Sequence, residues 1–330
     1  MEPDSSRWHQ RLEASGASLE IHPSLLWGVA LPMLRWLKER LANGGTGRPP
    51  VLALNGPVGS GKTSLTRVLT RLAAIDGVPL AVASIDDVYL TWPERRRVLQ
   101  GNPFGVWRVP PGSHDIPLLL NQLDQWRRDG VLRMPRFDKT LAQGQGDRGE
   151  WRETTADAVV IEGWLMGCRS LGPTLLEKKI AAGEGLGELT AEERAWLHRW
   201  DRELEAYQVL WGACDGLWLL RPARWSLPRR WRLQAEARQR RSGGGWLPAN
   251  EVDRLVRATL HSLPHLLYQD PLLSGLVDRQ SSAPGGDGRD GVEQLPVLGV
   301  GVLDGLRRCQ VPQPHLSSAS ESSEIGYSKP

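Results

Sequence analysis

The sequence predicts an α/β fold in which a mostly parallel β-sheet is flanked by helices, and two observations carry that prediction. The stretch Gly56-Pro57-Val58-Gly59-Ser60-Gly61-Lys62-Thr63 matches the phosphate-binding loop G-x-x-x-x-G-K-[ST]. It follows the apolar run Val51-Leu52-Ala53-Leu54-Asn55, which reads as a buried strand, and precedes Leu65, Val68, Leu69 and Leu72 at helical spacing, with Gly77 as a stop. Four further apolar runs, at 80–85, 158–161, 216–220 and 297–303, are separated by helical segments. Strands spaced in this way form a parallel sheet with right-handed crossovers, and ligands gather at the carboxyl ends of its strands.

Within the loop, glycines let backbone N–H groups turn inward around phosphate oxygens, and the helix N-terminus adds partial positive charge. The residues from Gly56 to Ser64 are therefore expected to bind nucleotide phosphates. Lys62, facing solvent in the empty protein, would reach the β- and γ-phosphates of ATP, and the Thr63 hydroxyl would ligate Mg²⁺.

The chain of 330 residues is long enough for one elaborated α/β domain or two small ones, with ample core. A formal net charge of +3 is too small to imply a polyanionic partner. The cysteines Cys168, Cys214 and Cys309 are scattered, which suits a reducing compartment and speaks against a disulfide framework or a zinc site. No apolar stretch reaches the length of a membrane span, and Met1-Glu2-Pro3-Asp4 is unlike a secretory signal, so a cytoplasmic location is expected.

Residues 1–50 read as an N-terminal helical segment with Leu25, Leu26, Val29, Leu34 and Leu37 on its apolar face, ended by the breaker at 43–47. The core is expected over 51–275, followed by a flexible linker at 276–295, a last strand within 296–308 and a disordered tail at 309–330.

Chemistry is expected at the strand ends. The second strand ends in Asp86-Asp87, and the third, Val159-Val160-Ile161-Glu162, reads as a Walker B element whose acid holds a metal-bound water. Paired aspartates are commonly a turn or a helix cap, but at this strand end a carboxylate faces the γ-phosphate and can accept a hydroxyl proton. The long stretch between these strands, about 91–150, exceeds what a crossover helix needs and reads as an acceptor-binding insertion. It holds Arg108 to Asp115, a helix from near Pro117, and the segments Met134 to Thr140 and Gly144 to Arg148, expected as stiff polar loops for a small anionic, hydroxylated ligand. His114 alone is equally a structural hydrogen-bonding group.

Taken in order, the loop, Ser84-Ile85-Asp86-Asp87-Val88-Tyr89-Leu90, Pro111-Gly112-Ser113-His114-Asp115, Pro135-Arg136-Phe137-Asp138-Lys139, Gly146-Asp147-Arg148 and Glu162-Gly163-Trp164 resemble the P-loop D-glycerate 3-kinases, relatives of phosphoribulokinase, uridine kinase and pantothenate kinase. The resemblance spans about residues 50–308 and takes in Leu204-Glu205-Ala206-Tyr207 and Trp231 to Glu236. It implies a P-loop kinase fold and ATP-dependent phosphorylation of D-glycerate to 3-phosphoglycerate, the closing step of photorespiration in phototrophs. It selects Asp86 as the catalytic aspartate and leaves Asp87 at a more variable position. Val109-Pro110 stands where the family leads us to expect a glycine, and Phe137 where a tyrosine is more usual.

With this resemblance, Lys62, Asp86 and Glu162 are the expected catalytic groups, with Thr63 and Glu162 on the metal. Asp87, Tyr89, Arg108, His114, Asp115, Arg136, Asp138, Lys139 and Arg148 are the acceptor-binding candidates. The Arg-rich run at 221–245 is read as a lid in which Arg224, Arg229 and Arg232 close over the transferring group. Uridine, pantothenate or a sugar phosphate is the alternative acceptor. A GTPase switch lacks its D-x-x-G and [NT]-K-x-D patterns here, and the remaining alternative is nucleic-acid binding by the same arginines interleaved with Trp225 and Trp231. Oligomeric state is not legible.

Overall fold

Val51–Asn55 forms strand β1, with every residue buried, and in a computed structural model of the protein it lies at the centre of the main sheet. The structure describes residues 21–43, 47–183, 185–243, 246–274 and 295–310. The expected linker, apart from residue 295, and most of the expected tail lie outside these residues, as does the start of the N-terminal segment.

The main sheet runs in the order β2 (Leu80–Ser84), β5 (Ala158–Gly163), β1, β6 (Gly216–Pro222), β7 (Val297–Leu303) and β8 (Cys309–Gln310). All neighbours are parallel except β8, which returns antiparallel to β7. Residues 309–310 thus belong to the sheet and not to a tail, held because the Cys309 N–H donates to Ser24 Oγ at 2.7 Å. The five apolar runs recognised in the sequence are the five parallel strands, and the central ones, β5, β1 and β6, are buried on both faces.

Helices cover both faces. On one side lie α1 (Leu31–Asn43), which continues a short helical turn and a π-helical turn, Leu26–Ala30, and α2 (Lys62–Ile75); Leu26, Val29, Leu34, Leu37, Leu65, Leu69 and Leu72 are all buried there. The other layer contains α3 (Trp92–Leu99), α4 (Ile116–Asp129), α5 (Pro173–Ala181), α6 (Ala191–Glu203) and α7 (Gln208–Ala213). α8 (Leu227–Arg241) and α9 (Ala249–Ser262) stand over the carboxyl edge of the sheet, and the short α10 (His265–Tyr268) closes the set.

The acceptor insertion corrects one expectation. Its two polar segments are only partly loops: residues 134–138 and 147–148 belong to the arms of an antiparallel hairpin, β3 (Val131–Asp138) and β4 (Asp147–Thr155), forming a second, two-stranded sheet, and residues 139–140 and 144–146 lie in the connection between the arms. β4 carries no apolar alternation, being largely exposed along its length, so its sequence gave no strand signal. Pairing with β3 makes it a strand, helped by the cross-strand Arg133–Glu153 ion pair at 3.2 Å. Pro135 fits because an isolated hairpin has free edges and the register slips beside it.

Candidate active site

The phosphate loop takes the shape its glycines permit. Gly59 and Gly61 sit at φ +77° and +93°, and Lys62 opens α2. A Cβ on Gly59 would stand 2.9 Å from Trp231 Cβ, so glycine is required where α8 packs against the loop. Lys62 does not face solvent: its ammonium folds back to donate to the carbonyls of Gly56 (2.8 Å) and Pro57 (3.4 Å), 3.8 Å from Glu162 Oε2. Gly59, Ser60, Gly61, Lys62, Thr63 and Ser64 line a cavity of about 600 Å³, while Val58 turns to the neighbouring cleft. The Ser60 hydroxyl is buried there without a partner.

Glu162, next to last in β5, is in register with Ser84 of β2 and Leu54 of β1, which brings the loop, Asp86 and Glu162 to one edge. Thr63 Oγ1 donates to Glu162 Oε1 at 3.1 Å. Burial raises the Glu162 pKa, partly offset by the Lys62 charge. Asp86 opens into the cleft, its side chain 55% accessible although walled by protein. Confinement in the cleft pushes its pKa up, but His114, the Tyr89 hydroxyl and the Lys62 charge outweigh it and hold the carboxyl down at about 2. Tyr89 Oη donates to Asp86 Oδ1 at 2.8 Å.

Asp87 is turned elsewhere. Its Oδ2 accepts from Ser84 N and its Oδ1 from Phe137 N at 3.2 Å, so it caps the turn after β2 and ties β3 to it. Burial raises its pKa. The two neighbours therefore divide into one carboxylate that opens into the cleft and one spent on backbone N–H groups.

A cleft of about 460 Å³ joins Thr63, Asp86, Asp87, Tyr89 and Glu162 to Arg108, Arg136, Lys139 and Arg232. Although Lys139 reaches solvent, partial desolvation at the cleft wall, together with the charges of Arg232 and Arg108, lowers its pKa. Unlike the other acceptor candidates, four do not line it. Arg148 donates to the Tyr89 carbonyl at 2.7 Å and to Asp115 at 2.6 Å; Asp115 caps α4 through Leu118 N; Asp138 bonds Thr140 in its own turn. His114 is buried behind Asp86 and stacked on Tyr89 at 4.6 Å. Arg148 and Asp115 are thus a brace for the insertion, a role their spacing in sequence could not reveal.

Comparison with known proteins agrees with this geometry. No family model matches the chain. It is 30% identical over 242 residues to the uncharacterized kinase mug58 of Schizosaccharomyces pombe, covering 70% of this chain and 84% of that protein. It is 29% identical over 269 residues to the chloroplastic D-glycerate 3-kinase of Arabidopsis thaliana, covering 74% of this chain but only 56% of that enzyme's length. The structure of D-glycerate 3-kinase from Cryptococcus neoformans superposes with a TM-score of 0.69 at 26% identity, covering 86% of this chain and 97% of that one. The chain belongs to the P-loop D-glycerate 3-kinase family.

This family member departs from the expected lid. Of its three proposed arginines only Arg232 faces the site, where it lines both cavities and pairs with Glu236 one turn along. Arg229 is bonded bidentately to Asp253 of α9, and Arg224 lines neither cavity. Positions 229 and 232 share one face of the helix, so their partners separate them: Asp253 of α9 holds Arg229, while Glu236 holds Arg232 beside the cleft.

Two site residues escaped the sequence reading. Arg307, from the turn between β7 and β8, donates to Gly59 O at 2.7 Å and to Trp231 O at 3.2 Å, and lines the nucleotide-side cavity with Arg238. Arg95 of α3 is fully buried and donates to the carbonyls of Leu90 and Trp107 at 2.9 Å and to that of Gly146, fastening the insertion. Neither lies in a recognisable motif. The family departure at Val109 carries a signature of its own, since this β-branched residue sits at φ +95°.

Proposed function

We propose that this protein is an ATP-dependent kinase that phosphorylates D-glycerate to 3-phosphoglycerate. The observation that carries the reading is the single cleft in which Asp86 meets Arg108, Arg136, Lys139 and Arg232 beside the phosphate loop. A catalytic carboxylate opposite a concentration of cations suits an acceptor that is both anionic and hydroxylated.

In this reading the loop N–H groups and Lys62 hold the triphosphate, and Lys62 leaves its loop carbonyls to follow the charge on the transferring group. An arginine fork from Arg108 or Arg136 binds the acceptor carboxylate bidentately while Lys139 adds a point charge. The 3-hydroxyl then lies against Asp86. Its oxygen bonds to the γ-phosphorus as the bond to the β,γ-bridging oxygen breaks, ADP leaves, and the hydroxyl proton passes to Asp86. A carboxylate with a pKa near 2 is ionised at all working pH values, so it orients the hydroxyl throughout and takes the proton late.

The donor set fits Mg²⁺. Thr63 Oγ1 and Glu162 Oε1 are two hard oxygens 3.1 Å apart at the loop, and among the described residues there is no cluster of three or more His, Cys, Asp or Glu to form an all-protein cage. Mg²⁺ held through few protein oxygens takes its others from phosphates and water, and it supplies charge neutralisation there.

Among the described residues no helix is long and apolar enough to cross a membrane. The test is a panel of purified-protein assays with ATP and Mg²⁺ across D-glycerate, uridine, pantothenate and ribulose 5-phosphate. We expect turnover on D-glycerate with the product phosphorylated at O3 by ³¹P NMR. Turnover on another acceptor, with none on glycerate, would reassign the substrate and keep the phosphoryl-transfer class.

A further inference from the structure

We propose that Tyr207 is a positioning residue for this reaction: its hydroxyl fixes His114 as the Nε2–H tautomer, and that N–H steers Asp86 so that one chosen carboxylate oxygen faces the acceptor. The inference rests on the kinase reading above only for its kinetic consequence.

Tyr207 follows α6 in a short 3₁₀ turn and is 1% exposed. Its Oη accepts the Gly112 N–H at 3.0 Å and stands 2.7 Å from His114 Nδ1. A buried phenol must place its own proton, and the acceptor within reach is Nδ1. A neutral imidazole that accepts at Nδ1 carries its proton on Nε2. Burial lowers the His114 pKa and keeps the ring neutral near pH 7; the His114 charge that helps hold Asp86 down is present only at acid pH.

Nε2 is buried without a hydrogen-bond partner, and it points at Asp86 Oδ1 from 3.7 Å. Tyr89, stacked on the same imidazole, donates to the same Oδ1. Both donors converge on one oxygen, so Oδ2 is left for the acceptor hydroxyl. A closure of about 0.8 Å when the cleft fills would complete the His114 bond. The chain Gly112 N–H, Tyr207, His114, Asp86 thus links a backbone turn of the insertion to the catalytic carboxylate.

The test combines ¹⁵N NMR of the histidine-labelled full chain with kinetics. The His114 signals, assigned by their loss in His114→Gln, should show the Nε2–H tautomer in the wild type and a mixture in Tyr207→Phe. Loss of an orienting partner of this kind costs roughly 10- to 100-fold, so Tyr207→Phe should lower kcat by that factor and leave KM for ATP unchanged. His114→Gln, whose Oε1 can take the Tyr207 proton while its amide N–H reaches Asp86, should keep kcat within about threefold. His114→Asn reaches only the Tyr207 side and should fall as far as Tyr207→Phe. An Nδ1–H tautomer in the wild type, unchanged kcat in Tyr207→Phe, or equal activity of the Asn and Gln variants would overturn the proposal. The NMR result is independent of the acceptor, so a failure of the substrate assignment is distinguishable from a failure here.

Discussion

Arg307 donates from Nε to the carbonyl of Gly59 at 2.7 Å, so the turn after the last parallel strand is bonded to the phosphate loop. Arg307 also lies over the Trp231 ring, whose backbone meets the same glycine. Removing the guanidinium frees the loop without touching Lys62 or Asp86. We expect Arg307→Ala to weaken ATP binding by about tenfold, the equivalent of roughly 1.4 kcal/mol, with kcat at saturating ATP little changed. Titration calorimetry with ATP measures this directly; an unaltered Kd would mean that the bond does not shape the loop.

The three carboxylates should separate by kinetics. General-base help is typically ~10²–10⁴-fold, and Asp86→Asn should lose about that much in kcat while ATP affinity stays near normal. Glu162→Gln should instead need more Mg²⁺ for half-maximal rate. Asp87→Asn can satisfy only one of its two backbone N–H groups, so its effect should be a stability loss of about 1–3 kcal/mol, read by denaturant unfolding. A dead Asp87→Asn with a nearly active Asp86→Asn would reverse the assignment of the base.

The pH dependence follows from two shifted groups. Asp86, held at about 2, is ionised above that value and loses its charge only as pH falls towards it. The kcat/KM profile for the acceptor should thus show no acid limb from Asp86 between about pH 8 and pH 4. Tyr89→Phe removes a donor and should move that limb upward. Lys139, lowered by partial desolvation and by Arg232 and Arg108, is charged below its pKa and loses its charge as pH rises through it. KM for the acceptor should therefore climb on the alkaline side, and Lys139→Arg should abolish the climb.

Arg232 and Arg229 belong to one helix but not to one task. Arg232→Ala should lower kcat more than it weakens ATP binding, as expected of a group engaged in the transition state. Arg229→Ala breaks only the link to Asp253 and should leave kcat unchanged. Equal kinetic losses in the two variants would restore the broader lid.

Val109 tests backbone strain. At an ordinary position alanine is more stabilising than glycine by roughly 0.5–1 kcal/mol. At φ +95° that order should reverse, because a Cβ in this region is strained whatever its neighbours. Denaturant midpoints of Val109→Gly and Val109→Ala decide it, and an Ala variant more stable than the Gly variant would exclude strain at this residue.

How far the sequence could be read depended on how local the signal was. The phosphate loop, five buried strands and helix α4 each announce themselves within about a dozen residues, through glycine spacing, unbroken apolar runs and 3.6-residue periodicity. That Asp86 and Glu162 lie at the edge of the cleft was legible because strand ends are where a parallel sheet presents ligands, whereas the choice of Asp86 over Asp87 came from the family resemblance. Strand β4 was not, since its residues are polar and mostly exposed and its strand character comes from the partner it pairs with. Arg95, Arg148 and Asp115 are contacts across 33 to 59 positions or across folded loops, and a charged side chain gives no local sign of whether it will meet substrate or a backbone carbonyl. The placement of the lid arginines was hidden for the same reason, because Asp253, a residue of another helix, is what draws Arg229 from the cleft.

The stitch between Cys309 and Ser24, together with the Arg307 bond to Gly59, has a consequence for how the protein is made. Synthesis delivers the phosphate loop early, yet the turn that completes its nucleotide-side wall is delivered near the end of the described chain. Contacts this distant in sequence are slow to form and are closed last. A nascent chain emerging from the ribosome should therefore display the loop for most of its elongation with a weakened hold on nucleotide, and reach full affinity once β7 and the turn to β8 have emerged.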